Sequence, residues 1–117
     1  MVALPHTSTT IRTIDQVQAD LGLSDSEAAA ALGVSLGTLR RWRSEAVSPG
    51  ADPLRRLRQL TDVAAHLGET FATPGGPRWL RSESRFLGGQ RPLDALLGGE
   101  VDRVEAALEA LDSGIFV

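Results

Sequence analysis

The segment from Ser24 to Arg43 leaves this chain few architectures to choose from. Glu27 follows Ser24 by three residues, the spacing at which the two side chains cap each other's free backbone donors at a helix start. Ala28 to Leu32 then carry a short helix to Gly33, where the missing side chain permits the positive φ of a tight turn. Val34 is placed to plug that turn, and Ser35 to cap a second helix. In that helix Leu39 and Trp42, three apart, supply an inward face. Ala29 is small where the two helices would approach each other. Cap, glycine turn, plug and inward pair together predict two helices meeting steeply across a short turn, the helix-turn-helix arrangement.

The rest of the chain agrees with a helical fold. There is no Tyr, and no Asn-Gly or Asp-Gly pair marks a hairpin between strands. Ile14, Val17 and Leu21 recur at helical spacing before Gly22. Pro53 suits a first helical turn, and Leu54, Leu57, Leu60, Ala64, Leu67 and Phe71 follow as one stripe. Thr73-Pro74-Gly75-Gly76-Pro77 reads as a hinge. Beyond it come a short helical piece around Trp79-Leu80, another from Pro92 with Leu93, Leu96 and Leu97, and a last one from Glu100 to Asp112 with Val101, Val104, Leu108 and Leu111 on one face. The predicted fold is all-α: a helix-turn-helix lobe over residues 8–72 and a small helical lobe over 73–117.

Composition removes whole classes of chemistry. With no cysteine the chain has no disulfide, thiolate metal site or thiol nucleophile, which fits a reducing cytoplasm. The two histidines, His6 and His66, are isolated, so no metal site is expected. No apolar stretch approaches the roughly 20 residues of a membrane helix, and Met1 to His6 lacks the features of a signal peptide. Asp62 and His66 share a helix face and are the best catalytic pair on offer, but no nucleophile or pocket accompanies them. A cytoplasmic, non-enzymatic, cofactor-free protein is expected.

Charge is unevenly spread. Between Ser35 and Leu60 six arginines face only Glu45 and Asp52, whereas Glu100 to Ser113 holds five acids and Arg103. The first segment attracts phosphates and the second repels them. A recognition helix reads bases from its N-terminal residues while hydroxyls and backbone hold phosphates. Ser35, Gly37, Thr38, Arg40, Arg41 and Arg43 are therefore the candidate DNA-binding residues, with Arg55, Arg56 and Arg58 touching phosphate or solvent. The bland alternative is a structural hairpin with a solvated arginine face. At the other end, Gly114-Ile115-Phe116-Val117 loads the carboxyl terminus with large apolar side chains. Either they fold back onto their own lobe or they fill an apolar slot in a partner, with the Val117 carboxylate free to pair with an arginine.

Trp79-Leu80-Arg81, Arg85-Phe86-Leu87-Gly88-Gly89-Gln90-Arg91-Pro92-Leu93-Asp94-Ala95-Leu96-Leu97 and the closing Gly114-Ile115-Phe116-Val117 form a string that resembles the toxin-binding domain of the Xre/MbcA/ParS antitoxins. Related sequences carry Pro-Asn where this one has Glu83-Ser84. The resemblance implies a RES-domain toxin as partner, an enzyme that consumes NAD. It also implies neutralisation by direct binding, with the antitoxin's C-terminal end blocking the toxin's active site. Trp79, Arg85, Gly114, Ile115, Phe116 and Val117 would then be the toxin-binding residues. Autoregulation through operator DNA, a homodimer and a hetero-oligomer with the toxin are implied in the same way. The competing expectation is a stand-alone helix-turn-helix regulator whose C-terminal lobe only dimerises it.

Overall fold

Seven α-helices make up the computed structural model, which describes residues 6–114; no strand occurs among them. In chain order they are α1 (His6–Leu21), α2 (Asp25–Leu32), α3 (Leu36–Arg43), α4 (Ala51–Thr70), α5 (Gly75–Leu80), α6 (Pro92–Leu97) and α7 (Val101–Asp112). The all-α class expected from the sequence holds. No helix among the described residues is long and apolar enough to cross a membrane.

The local signals act as their chemistry requires. Ser24 accepts from the Glu27 N–H at 3.1 Å and Glu27 accepts from the Ser24 N–H at 2.9 Å, a complete capping box. Gly33 ends α2 at φ 76°, and the Val34 N–H reaches back to the Ala29 carbonyl at 2.9 Å. Ser35 caps α3 by accepting from the Thr38 N–H at 3.1 Å. Leu39 and Trp42 are buried at 0% and 3% exposure, and Ala29 is buried between the helices.

Three sequence expectations change. The expected hinge is instead packed: residues 75–80 form α5, Gly76 is buried against Leu67 of α4, and a Cβ on Gly75 would lie 3.2 Å from the Phe71 Cβ. The stripe on α4 begins at Leu57 and includes Val63, fully buried, while Leu54 is 39% exposed. The hairpin half and the C-terminal half do not keep separate interiors. Ile14, Leu32, Trp42, Leu60, Leu80, Leu96 and Leu108 belong to one continuous core, because α1 packs on α5 and α2 packs on α6. A chain this short gains more by closing one interior than by dividing it.

Polar clamps reinforce the join. The Arg81 guanidinium donates to both Glu27 carboxylate oxygens at 2.7 and 3.1 Å and to the Gly22 carbonyl at 2.7 Å. Those bonds, with the Ser24 N–H, hold the Glu27 carboxyl down to about 2. Arg56 lies under two turns at once: a Cβ on Gly33 or on Gly99, both at left-handed φ, would come within 3.0 Å of its guanidine nitrogens. Arg56 thus lies against both the α2–α3 and the α6–α7 turns.

His66 does not pair with Asp62. Its Nδ1 sits 2.7 Å from Glu105 Oε1 and its Nε2 2.8 Å from Asp112 Oδ2, while the Thr70 hydroxyl donates to Asp112 at 2.9 Å. Two carboxylates on the two ring nitrogens call for the imidazolium, in which both nitrogens donate. The Asp112 bond is the largest influence and pushes the His66 pKa up; burial opposes it, and the Glu105 bond with the charges of both carboxylates carries the net shift upward. A raised histidine contributes stability that is complete below the ordinary value of 6.5 and fades as pH rises through the higher folded value. Chemical denaturation of the protein and of His66→Gln should therefore differ most at mildly acidic pH and converge in alkaline solution. A difference independent of pH would show that the α4–α7 bridge is not ionic.

Candidate functional site

Two surfaces present side chains that the fold leaves accessible. The first is the outer side of α3. Its inner side is consumed by Leu39 and Trp42, so the helix is locked at a set angle against α2 and α1. The exposed side presents Gly37, Arg40 and Arg41, with the Ser35 and Thr38 hydroxyls bonded to each other at 3.0 Å at the tip. A Cβ at Gly37 would meet only the Ser35 hydroxyl, at 3.8 Å, so the first turn is bare enough for another molecule to approach its backbone. Arg41 makes one light contact, to the Thr38 hydroxyl at 3.2 Å, and Arg40 has no salt bridge among the described residues. Such a face can hold phosphates and present guanidinium forks to base edges.

Arg43, grouped with these residues from the sequence, is engaged elsewhere. Its guanidinium donates to Asp25 and Asp15, each at 2.9 Å, and to Gln18. The three acceptors lie on α1 and α2, and they turn the side chain away from the open face of α3. Asp25 is correspondingly lowered, through its bonds to Gln18 and then Arg43. No spacing rule reveals such a clamp, because its partners are 18 and 28 residues away. On α4, Arg55 pairs with Asp52 at 3.1 Å, and Arg58 is exposed.

The second surface lies beside α7. Trp79 is half-buried on α5, its ring 5.9 Å from that of Phe71 and tilted by 33°. It therefore belongs partly to the core and partly to a groove of about 240 Å³ bounded by Arg85 and Phe86 on one side and Leu111 on the other. The loop that forms the groove is tied in a knot of backbone bonds: the Ser84 carbonyl accepts from Leu87 at 3.1 Å and from Gly89 at 2.8 Å, and the Ser84 N–H donates to Gln90 at 3.0 Å. Gly88 and Gly89 adopt φ of 70° and 95°, the left-handed conformations that make this reversal possible before Pro92. Ser84, in the pair where related sequences carry Pro-Asn, thus anchors an ordered turn. Arg85 is exposed at the groove's rim and has no salt bridge among the described residues. Sequence reasoning named Trp79 and Arg85; Phe86 and Leu111 join them only through the fold. Gly114 follows α7 at left-handed φ, and Ile115, Phe116 and Val117, the remaining members of the expected toxin-binding set, lie outside the described residues.

No group of three or more histidine, aspartate or glutamate side chains suited to a metal occurs among the described residues. His66, Glu105 and Asp112 do not form one, since the two carboxylates take opposite ring nitrogens.

Comparison with known proteins finds matches to both regions of the chain. A model described as a homeodomain-like domain matches residues 11–55, and one described as the antitoxin Xre/MbcA/ParS C-terminal toxin-binding domain matches residues 66–114. The mycobacterial cidal antitoxin MbcA of Mycobacterium tuberculosis H37Rv is 32% identical over 97 residues, covering 83% of this chain and 86% of that protein. A second protein of that strain, described as a probable mycobacterial cidal antitoxin, is 32% identical over 96 residues, 82% of each chain. In three dimensions the chain is similar to one in the crystal structure of the M. tuberculosis MbcT–MbcA toxin–antitoxin complex, with a TM-score of 0.70, 30% identity, and 92% of this chain and 96% of that chain covered.

Proposed function

Since the chain belongs to the MbcA-like antitoxins of the Xre/MbcA/ParS family, we propose that it neutralises a cognate RES-domain, NAD-degrading toxin by direct binding and represses its own operon through α3. The observation that carries this reading is the division of labour on one rigid core. Uncommitted arginines sit on the outer side of α3, and an aromatic groove sits beside the helix that leads to Ile115, Phe116 and Val117. In this reading Trp79, Phe86 and Arg85 receive the toxin's surface, and the apolar side chains of 115–117 enter its catalytic cleft and exclude the dinucleotide. Ser35, Gly37, Thr38, Arg40 and Arg41 meet the operator. Arg43 is left out of that set, because it holds α3 in place from behind.

Co-expression with the neighbouring toxin gene tests the first half, with growth and cellular NAD as readouts. Rescue with NAD restored is the expected result; NAD falling as fast with the antitoxin as without it overturns the proposal. For the second half, Arg40→Ala and Arg41→Ala should each weaken operator binding by about 1–3 kcal/mol, or flatten its salt dependence where the contact is to phosphate. Both should leave toxin rescue unchanged. Operator affinity equal to that of the parent chain in the double variant would remove α3 from the DNA interface.

A further inference from the structure

The end of α7 is bonded beyond what its packing requires. Val104 and Leu108, both fully buried, and Ala107 and Ala110 already seat the helix on the core. Its last residue, Asp112, nevertheless takes a donor on each carboxylate oxygen: the His66 Nε2 on Oδ2 at 2.8 Å and the Thr70 hydroxyl on Oδ1 at 2.9 Å. The two donors lie one turn apart on α4, so together they fix the plane of the carboxylate as well as its position. His66 first, and then Thr70, hold the Asp112 carboxyl below its ordinary value.

α7 by itself gives no reason for an acid at this place. The C-terminal end of a helix carries partial negative charge, which favours cations there. α7 has no basic residue in its last turn, where Glu109 and Asp112 stand instead. The interaction that offsets this repulsion comes from α4.

What the clamp fixes is the point at which the chain leaves the helix. Beyond Asp112, the Ser113 N–H donates to the Glu109 carbonyl and the Gly114 N–H to the Leu111 carbonyl, each at 3.0 Å, and Gly114 turns the backbone at φ 75°. This last turn is the base from which Ile115, Phe116 and Val117 depart. Helix ends left to themselves fray, and a partner that must order a frayed end loses affinity in doing so. A base held at a set angle before binding avoids that cost.

We propose that Thr70 and His66 are positioning residues for toxin inhibition, aiming residues 115–117 through Asp112, a role that rests on the entry of those residues into the toxin's cleft.

Titration calorimetry with the purified toxin tests this in a double-mutant cycle between Thr70 and Phe116 in the full-length chain. Thr70→Val keeps the shape of the side chain and removes the donor. It should weaken toxin binding about tenfold, the effect of one hydrogen bond to a charged group. Thr70→Ser, which retains the hydroxyl, should bind like the parent. In a chain already carrying Phe116→Ala, Thr70→Val should weaken binding by less than about threefold, because less remains to be aimed. Equal losses in the two backgrounds would overturn the proposal, since neither a loosened fold nor a direct contact of Thr70 with the toxin depends on Phe116. A Thr70→Val chain that binds like the parent overturns it too, as does a Thr70→Ser chain that binds as weakly as Thr70→Val. Phe116→Ala binding like the parent would instead remove the entry of residues 115–117 into the cleft, and the positioning role with it.

Discussion

Deleting Ile115, Phe116 and Val117 should abolish protection from the toxin while operator binding survives. Apolar anchors in a partner's pocket each contribute on the order of 2–4 kcal/mol when fully buried. Loss of two such side chains therefore lowers affinity by about a thousandfold or more. Titration calorimetry with the purified toxin, alongside growth rescue, measures this. Phe116→Ala alone should fall between the full-length and truncated chains. The competing possibility, that the three residues cover the protein's own core, makes the opposite prediction. Truncation would then lower the melting temperature by several degrees and leave toxin affinity nearly intact. A truncated chain that still rescues growth would reassign neutralisation to the groove at Trp79, Arg85 and Phe86.

The largest stability effect is expected inside the shared core. Leu96 is fully buried on α6, which packs against α2 of the hairpin as well as against α5 and α7. Replacing it with Ala removes buried methyl groups and leaves a cavity, at a cost of about 2–5 kcal/mol. The loss should appear in one cooperative transition in urea, with α2 and α7 amides losing exchange protection together. That outcome distinguishes one interior from two. Were the halves independent, Leu96→Ala would loosen α6 and α7 and leave the hairpin's melting point where it was. Operator binding provides a second reading: in a single core, a C-terminal cavity also reduces the fraction of folded hairpin at elevated temperature.

Contacts close in sequence were open to reading from the chain itself. The Ser24–Glu27 box, the Gly33 turn, the Ser35 cap and the inward pair Leu39 and Trp42 are each set within four residues, where spacing on a helix dictates which groups meet. The helical class and the exposure of Arg40 and Arg41 followed from the same local rules, while the family resemblance rested on the order of residues in the Trp79 to Leu97 string. Residues 73–77 misled those rules. Proline and glycine there signal freedom, yet glycine also allows close packing, and the start of α5 uses it where a Cβ on Gly75 would crowd Phe71 at 3.2 Å.

What only the tertiary structure decided is how distant charges are spent. Arg43, Arg56 and Arg81 look alike in the sequence to Arg40 and Arg41, being the same side chain at comparable helical positions. In the fold, the first reaches Asp15 and Asp25, the second lies between Gly33 and Gly99, and the third grips Glu27. His66 likewise passes over Asp62, four residues away, for Glu105 and Asp112. The reason is geometric. A helix face determines which neighbours share a side, but the partner across an interface depends on how α4 packs on α7 and α2 on α6, and that packing is set by the whole apolar core at once.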